Sequence, residues 1–569
     1  MRRGLALLSL LSLARCSLLV GDFEIPTCRA QSDCETLNAG LGACERFVCV
    51  RASGRCVRSA DGDGDGEARV GCGGNDCDDG DARRGSRQSE LCDGIDNNCN
   101  EVIDEGRITA SQVTTAVSTT DVGATVVSTL RVSGSAARGA LSWTGDANAR
   151  GRIGLVDAMG AVSGVASPAF FQQASSDLGQ PLALTAGCAG AGACIPSELA
   201  LDDIDGGSDW FAAAVNTAGC AAGDLRVGYL RTTGPQAGGF IAAGPRARGA
   251  AHQGFGPCVG AMGVRVSRLR ERTTMPRALV GWNARDRVAS RCGPVAPVEL
   301  VGLYLEGASD AIPWVNTTQA GTSQRLGMTA SDSPPAIASY HRAGEDLGFG
   351  WFTAWGGEDV AVHLRFVPRF EDAPAFSAAL PPETPRVSPA LDLSGAEARV
   401  TTTGTPQSVG LAVGESRTDG VSLGLSWIDG CEQGRVWFAR VRFMPGAGTF
   451  QADVPVAMST GMGASPAIRW LEDGFVTANF SAGSERAGEG SAGRRGGWLV
   501  TWVEGNRIMG RRAGALSGAP LDDAPVALRE GAGVGPLVLG ASGDGRTARG
   551  FWFNTSTRAI ERAQILCGG

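Results

Sequence analysis

Tryptophan recurs along residues 143–552 at near-equal intervals, and few architectures produce that pattern. Trp143, Trp210, Trp282, Trp355, Trp427, Trp502 and Trp552 are separated by 67, 72, 73, 72, 75 and 50 residues, with Trp355 taken as the marker in preference to Trp351. Each sits in an apolar run that meets a turn and then a second run, as in ALSWTGDANARGRIGLVDAMG and WLVTWVEGNRIMGRRAG. A unit of roughly two hairpins cannot bury its apolar faces alone, so repeated units stack on one another. From Ile108 onward helical periodicity is scarce. LRVGYL at 225–230, VAVHLRFV at 360–367 and VWFARVRF at 436–443 show the two-residue alternation of strands. The chain is therefore expected to be all-β: a β-propeller of six to eight blades over residues 108–569, with the tryptophans packed between blades. Tandem β-sandwiches are the alternative.

The first sixteen residues, MRRGLALLSLLSLARC, place Arg2 and Arg3 ahead of an apolar run from Gly4 to Leu13. That run is too short to cross a bilayer and has the form of an export signal over residues 1–16. Leu13-Ala14-Arg15-Cys16 resembles a lipobox, whose cysteine is lipidated after cleavage, with Arg15 standing where that pattern has a small residue. Cleavage after Ala14 is the competing reading. Setting Cys16 aside leaves sixteen of the seventeen cysteines, an even number for pairing. An exported chain is expected, as an outer-membrane lipoprotein, on the cell surface or in the periplasm. Its only membrane contact would be the N-terminal anchor.

Nine cysteines, Cys28, Cys34, Cys44, Cys49, Cys56, Cys72, Cys77, Cys92 and Cys99, crowd a stretch with little apolar material. Such density signals covalent stapling in place of a core. Zinc would need thiolates and paired short spacings, and neither fits an exported chain with these intervals. Residues 17–60 are expected to be a disulfide module whose pairing stays open.

Residues 61–105 carry fourteen Asp and Glu against four Arg, a net of −10 where the whole chain carries −8. The acidity is local, which points to a cation and excludes nucleic acid, whose phosphates need a basic face. DGDGDG at 61–66 sets Asp61, Asp63 and Asp65 at alternate positions before Gly66, the opening of a calcium loop. Cys72 occupies position twelve, where an EF-hand has Glu. CGGNDCDDGD follows with Asp76, Asp78, Asp79 and Asp81 beside Cys77. In CDGIDNNCNEVIDE, counting from Asp96, Asn98 and Asn100 fall at positions three and five and Asp104 at nine, with Glu101 in the glycine position.

Together DGDGDG…CGGNDCDD…ELCDGIDNNCNEVIDE resembles the metal-binding motif of MopE-type bacterial surface proteins, frequent in myxobacteria, over about 45 residues. It shares the Asp/Cys alternation of thrombospondin type 3 repeats, where calcium and disulfides hold a chain almost without a core. The resemblance implies Asp61, Asp63, Asp65, Asp76, Asp78, Asp79, Asp93, Asp96 and Asp104 as oxygen ligands; Asp81, Asn98, Asn100 and Glu105 join them as candidates. The type protein is associated with copper. Here the three histidines, at 252, 341 and 363, lie outside the segment, and an oxygen-only set suits Ca²⁺. The expected cofactor is calcium, bound at roughly 10⁻⁴ to 10⁻³ M, stiffening a spacer at 61–107.

Catalytic motifs are poor. Gly420-Val421-Ser422-Leu423-Gly424 matches GxSxG but reads as a continuous strand, while that elbow needs a strand-to-helix turn. Residues 488–493 match GxGxxG in a chain with 84 glycines. Asp203, Asp205 and Asp209 read as a solvated turn, and SGDGRT at 542–547 is only loosely like a sialidase box. Cys188 with Cys194 would close a short loop, and Cys258 with Cys292 is a further pairing. The expected function is a binding or recognition protein for an extracellular or envelope protein or glycan. The alternative is a secreted propeller enzyme, a glycan hydrolase or lyase.

Overall fold

The computed structural model describes most of residues 27–88, then 97–99, then the strands and shorter connections between Ile108 and Cys567. Residues 1–26, 89–96 and 100–107, and longer connections such as 184–197, 244–260, 306–323 and 472–496, lie outside that description. The described residues form two compact units that divide near residue 106.

The first unit is held by cross-links. A short 3-10 helix, Gln31–Asn38, precedes a hairpin of Arg46–Val50 and Arg55–Ser59 in which Cys49 lies opposite Cys56. Cys28–Cys49 and Cys34–Cys56 tie both hairpin strands back to the preceding segment, and Cys44–Cys72 and Cys77–Cys99 staple the acidic stretch. The apolar core here is little more than Cys28, Cys34 and Cys56 with Leu37 and Phe47 against them. So small a core leaves stability to the disulfides, which contribute chiefly by restricting the unfolded chain, about 2–4 kcal/mol each. Cys92 lies outside the described residues.

The second unit is a β-propeller. Among the described residues seven sheets, each with a four-stranded antiparallel core, follow one another in chain order, and the first strand of each packs beside the first strand of the next. Blade 1 takes its strands from 127–166, blade 2 from 198–243 with Ala169–Gln173 and Pro181–Ala183 added beside its last strand, blade 3 from 261–329, blade 4 from 336–401, blade 5 from 406–457, blade 6 from 464–530 and blade 7 from 534–567. Ile108–Ala110 and Thr114–Val117 complete blade 7 by pairing with Ala559–Cys567, Ile108 opposite Cys567 and Val117 opposite Ile560. Val534–Ala541 of blade 7 also packs beside Val127–Gly134 of blade 1, which closes the ring.

Every marker tryptophan falls on the second strand of its blade, six toward the end and Trp210 at the start, and none is more than 4% exposed. The core is a chain of clusters between neighbours. Tyr340 and Phe352 of blade 4 meet Leu423 and Phe443 of blade 5, and Ile428 and Phe438 of blade 5 meet Trp498 and Trp502 of blade 6. Glycine admits the indoles: a β-carbon on Gly327 of blade 3 would lie 2.8 Å from the ring of Trp355, and one on Gly424 of blade 5 would lie 2.5 Å from that of Trp498. Each buried indole removes roughly 200 Å² from water, at most about 5 kcal/mol of transfer free energy. The repeat is thus a packing repeat.

Candidate metal centre

The sequence at 61–67 alternates acid with glycine, and locally it coils round its own carboxylates. Asp61 Oδ2 accepts from Gly66 N–H at 2.9 Å, Asp63 Oδ1 from Asp65 N–H at 3.1 Å and Asp65 Oδ1 from Glu67 N–H at 2.7 Å. The last two, from an N–H two residues on, are ordinary for short polar side chains, and the first closes the loop across five residues. They turn the three acids inward, so that one carboxylate oxygen from each of Asp61, Asp63 and Asp65 lies within 4.8 Å of the others. Cys72, at the twelfth position of this loop, is joined to Cys44 and supplies a staple where an EF-hand has a ligand.

The next acids divide by what compensates them. Asp78 is paired with Arg84 at 3.0 Å. Asp79 Oδ1 accepts from Gly62 N–H at 2.6 Å. Glu67, which the sequence reading passed over, is buried and accepts from Ser86 N–H at 2.6 Å and Ser86 Oγ at 2.8 Å, with Arg87 Nε 3.1 Å away. Its signal was visible: it continues the alternate-residue series of Asp61, Asp63 and Asp65. Asp81 is half-buried at the following turn, its N–H donating to Asp78 O at 2.8 Å.

Asp63 and Asp76 are different. Each has one buried carboxylate oxygen, Oδ2, without a hydrogen-bond partner, and Asp76 as a residue is 0% exposed. Burial, reinforced by the charges of Asp65, Asp76 and Asp61 and opposed by the backbone bond from Asp65, pushes the Asp63 carboxyl up to about 7. Burial raises Asp76 as well, with Asp65, Asp79 and Asp78 acting in the same sense. A site that makes its own carboxylates hard to ionise is short of positive charge.

The donors fit a metal of one kind. The orphaned oxygens of Asp63 and Asp76 would be ligand atoms, and the converging group of Asp61, Asp63 and Asp65 offers only carboxylates. Among the described residues the cysteines of this unit are all in disulfides, and no histidine of the chain lies nearer in sequence than His252. Copper, which favours imidazole and thiolate or thioether, finds none of these among the described donors; a hard dication finds what it needs. When bound, such an ion would neutralise the loop and fix it.

Of the other candidates, Asn98 is described, half-buried beside Asn97, whose carbonyl accepts from Gly85 N–H at 2.8 Å. Asp93, Asp96, Asn100, Asp104 and Glu105 lie outside the described residues, as do Cys16 and the whole of residues 1–16. The pairs Cys188–Cys194 and Cys258–Cys292 and the stretch 488–493 are likewise outside, as are Asp205 and all of SGDGRT but Thr547. Asp203 ends the strand Glu198–Asp203 and Asp209 begins Asp209–Asn216. Ser422 lies mid-strand in Gly420–Asp429, opposite Arg442, which is no nucleophile elbow. No described helix is long and apolar enough to cross a membrane.

No curated protein matches this chain. Among solved structures it is similar to one titled "Structure of Dos1 propeller" (TM-score 0.34, 10% identity, covering 81% of this chain and 95% of that one). A subtype N10 neuraminidase-like protein of A/little yellow-shouldered bat/Guatemala is similar at TM-score 0.31 and 7% identity, over 81% of this chain and 99% of the other. Residues 76–105 match the family Cu-binding_MopE, described as "Putative metal-binding motif", a stretch that begins at the buried Asp76 and leaves Asp61, Asp63 and Asp65 before it.

Proposed function

We propose that this is an exported, envelope-anchored recognition protein, in which the first unit is a calcium-stiffened spacer and the propeller is the interaction platform. The observation that carries the calcium reading is the convergence of Asp61, Asp63 and Asp65, with their oxygens within 4.8 Å, in a segment without imidazole or free thiol among its described residues. Calcium takes six to eight oxygen ligands in flexible geometry, which a disulfide-braced loop of carboxylates supports. Four disulfides agree with an extracellular placement. Lipidation at Cys16 supplies the anchor. The propeller then acts by binding an envelope protein or glycan through its loops, not by catalysis.

The test is calorimetric titration of the full, disulfide-intact chain with Ca²⁺, with Mg²⁺ and Cu²⁺ as controls. Saturable Ca²⁺ binding at roughly 10⁻⁴ to 10⁻³ M, with weaker Mg²⁺ and no specific Cu²⁺ heat, is expected. A chain that takes up Cu²⁺ stoichiometrically and ignores Ca²⁺ removes the proposal.

A further inference from the structure

We propose that Asp76 shares one ion with the Asp61–Asp63–Asp65 loop, so that a single site is built from both sides of the Cys72–Cys77 segment. This rests on the calcium reading above and goes on to name the carboxylates that act together. The two loops are joined directly: Asp79 Oδ1 takes the Gly62 N–H at 2.6 Å, and a β-carbon on Gly62 would lie 2.4 Å from Asp79 O. Asp76 is fixed by its own backbone, its N–H donating to Ala68 O at 3.1 Å and its carbonyl accepting from Val70 N–H at 2.8 Å. Those bonds bridge the strand-like pair Arg69 and Asp76 and bury the residue completely.

Asp63 and Asp76 then present the same half-satisfied carboxylate. In each, Oδ1 accepts a backbone N–H two residues on, from Asp65 at 3.1 Å and from Asp78 at 2.7 Å, and Oδ2 is buried without a donor. Leaving one such oxygen unmade costs about 1–3 kcal/mol, more for a charged group. A cation taken by both oxygens would relieve the two costs together and offset the like charges around them. Asp78, Asp79 and Glu67 are compensated by Arg84, Gly62 N–H and the Ser86–Arg87 pair, so they frame the site without entering it. The matched motif starts at Asp76, and half of this site lies upstream of it.

The test compares the full chain with Asp63→Asn, Asp76→Asn, Asp78→Asn and the Asp63/Asp76 double variant by Ca²⁺ calorimetry and by melting. Disulfide formation is checked in each by free-thiol titration. D63N and D76N should each weaken the same site about tenfold or more, with the double variant well short of the product, because both act on one ion. D78N should stay within about twofold. In chelator D63N and D76N should melt above the parent chain, having shed a repelling charge, and in saturating Ca²⁺ below it. Parent-like affinity and stoichiometry in D76N, with loss in D63N, would overturn the shared site and leave the calcium reading intact. So would a D76N that is destabilised equally in chelator and in Ca²⁺. Absence of any Ca²⁺ binding by the parent chain would end both.

Discussion

Arg512 and Asp522 of blade 6 make a deeply buried ion pair, with side chains 5% and 6% exposed. Asp522 Oδ1 accepts from Arg512 Nη2 at 2.6 Å and Nε at 2.9 Å, and Oδ2 accepts from Arg512 N–H at 2.7 Å. A pair like this is nearly neutral against an apolar replacement, yet breaking it strands a charge in low dielectric. Asp522→Ala is therefore expected to lower unfolding free energy in urea by about 3–5 kcal/mol, whereas Arg512→Met with Asp522→Leu should lose far less. The same logic separates Asp76 from the acids around it, and this was not legible in the sequence. CGGNDCDDGD shows four equivalent aspartates, and only the bonds to Ala68 and Val70 make one of them buried and half-satisfied. The alternation of Asp61, Asp63 and Asp65 was legible because side chain and spacing alone define that loop.

The outer edge of blade 4 shows how an element is held where apolar packing runs out. His363, in Ala361–Pro368, lies between Asp359 Oδ1 at 2.7 Å and Glu397 Oε1 at 3.0 Å, its ring stacked on Trp355 with centroids 5.1 Å apart. Arg399 binds Asp359 at 2.8 Å and Arg365 binds Glu397, so four charged side chains and the His363 ring link the edge strand Glu397–Thr401 to its neighbour. The tight turn before it puts Val360 at φ 56°, which a β-branched residue rarely adopts, and Thr402 N–H to Val360 O at 3.0 Å holds it there. Burial acts to raise Asp359 and Glu397, but the hydrogen bonds from His363 and the neighbouring cations outweigh it and hold both below their ordinary 3.8 and 4.5. Carboxyls lowered on folding stabilise the folded state above their ordinary values and lose that contribution as pH falls below them. His363→Gln should consequently be less stable than the parent near pH 6, and the gap should narrow toward about pH 3. A gap that is constant across that range would mean the cluster contributes only packing. Sequence reading recognised VAVHLRFV as a strand by its alternation, but nothing local joins His363 to Glu397, 34 residues on.

At the scale of the molecule, the tryptophan spacing disclosed the propeller because every blade repeats one packing problem, a buried indole on its second strand. The pairing of cysteines was illegible for the opposite reason: each disulfide is a single long-range event, and spacing does not rank the alternatives. Ring closure was equally hidden. Ile108–Ala110 and Thr114–Val117 meet Ala559–Cys567 across almost the full length of the propeller, and Ile108 and Val117 are 1% and 3% exposed in the closing interface. A chain lacking residues 1–117 is expected to melt far lower than one lacking only 1–107, since it exposes the last strand and forfeits both apolar anchors. Equal melting temperatures for the two truncations would place the closure elsewhere. Because a ribosome makes the chain from its first residue, one side of the final sheet exists from the outset and the other is the last to appear. Until the last blade is made, the nascent ring has an open edge at each end. The stapled first unit has all its cysteines available long before, so the two units mature on different clocks, and shielding of that edge is a demand set by the order of the strands themselves.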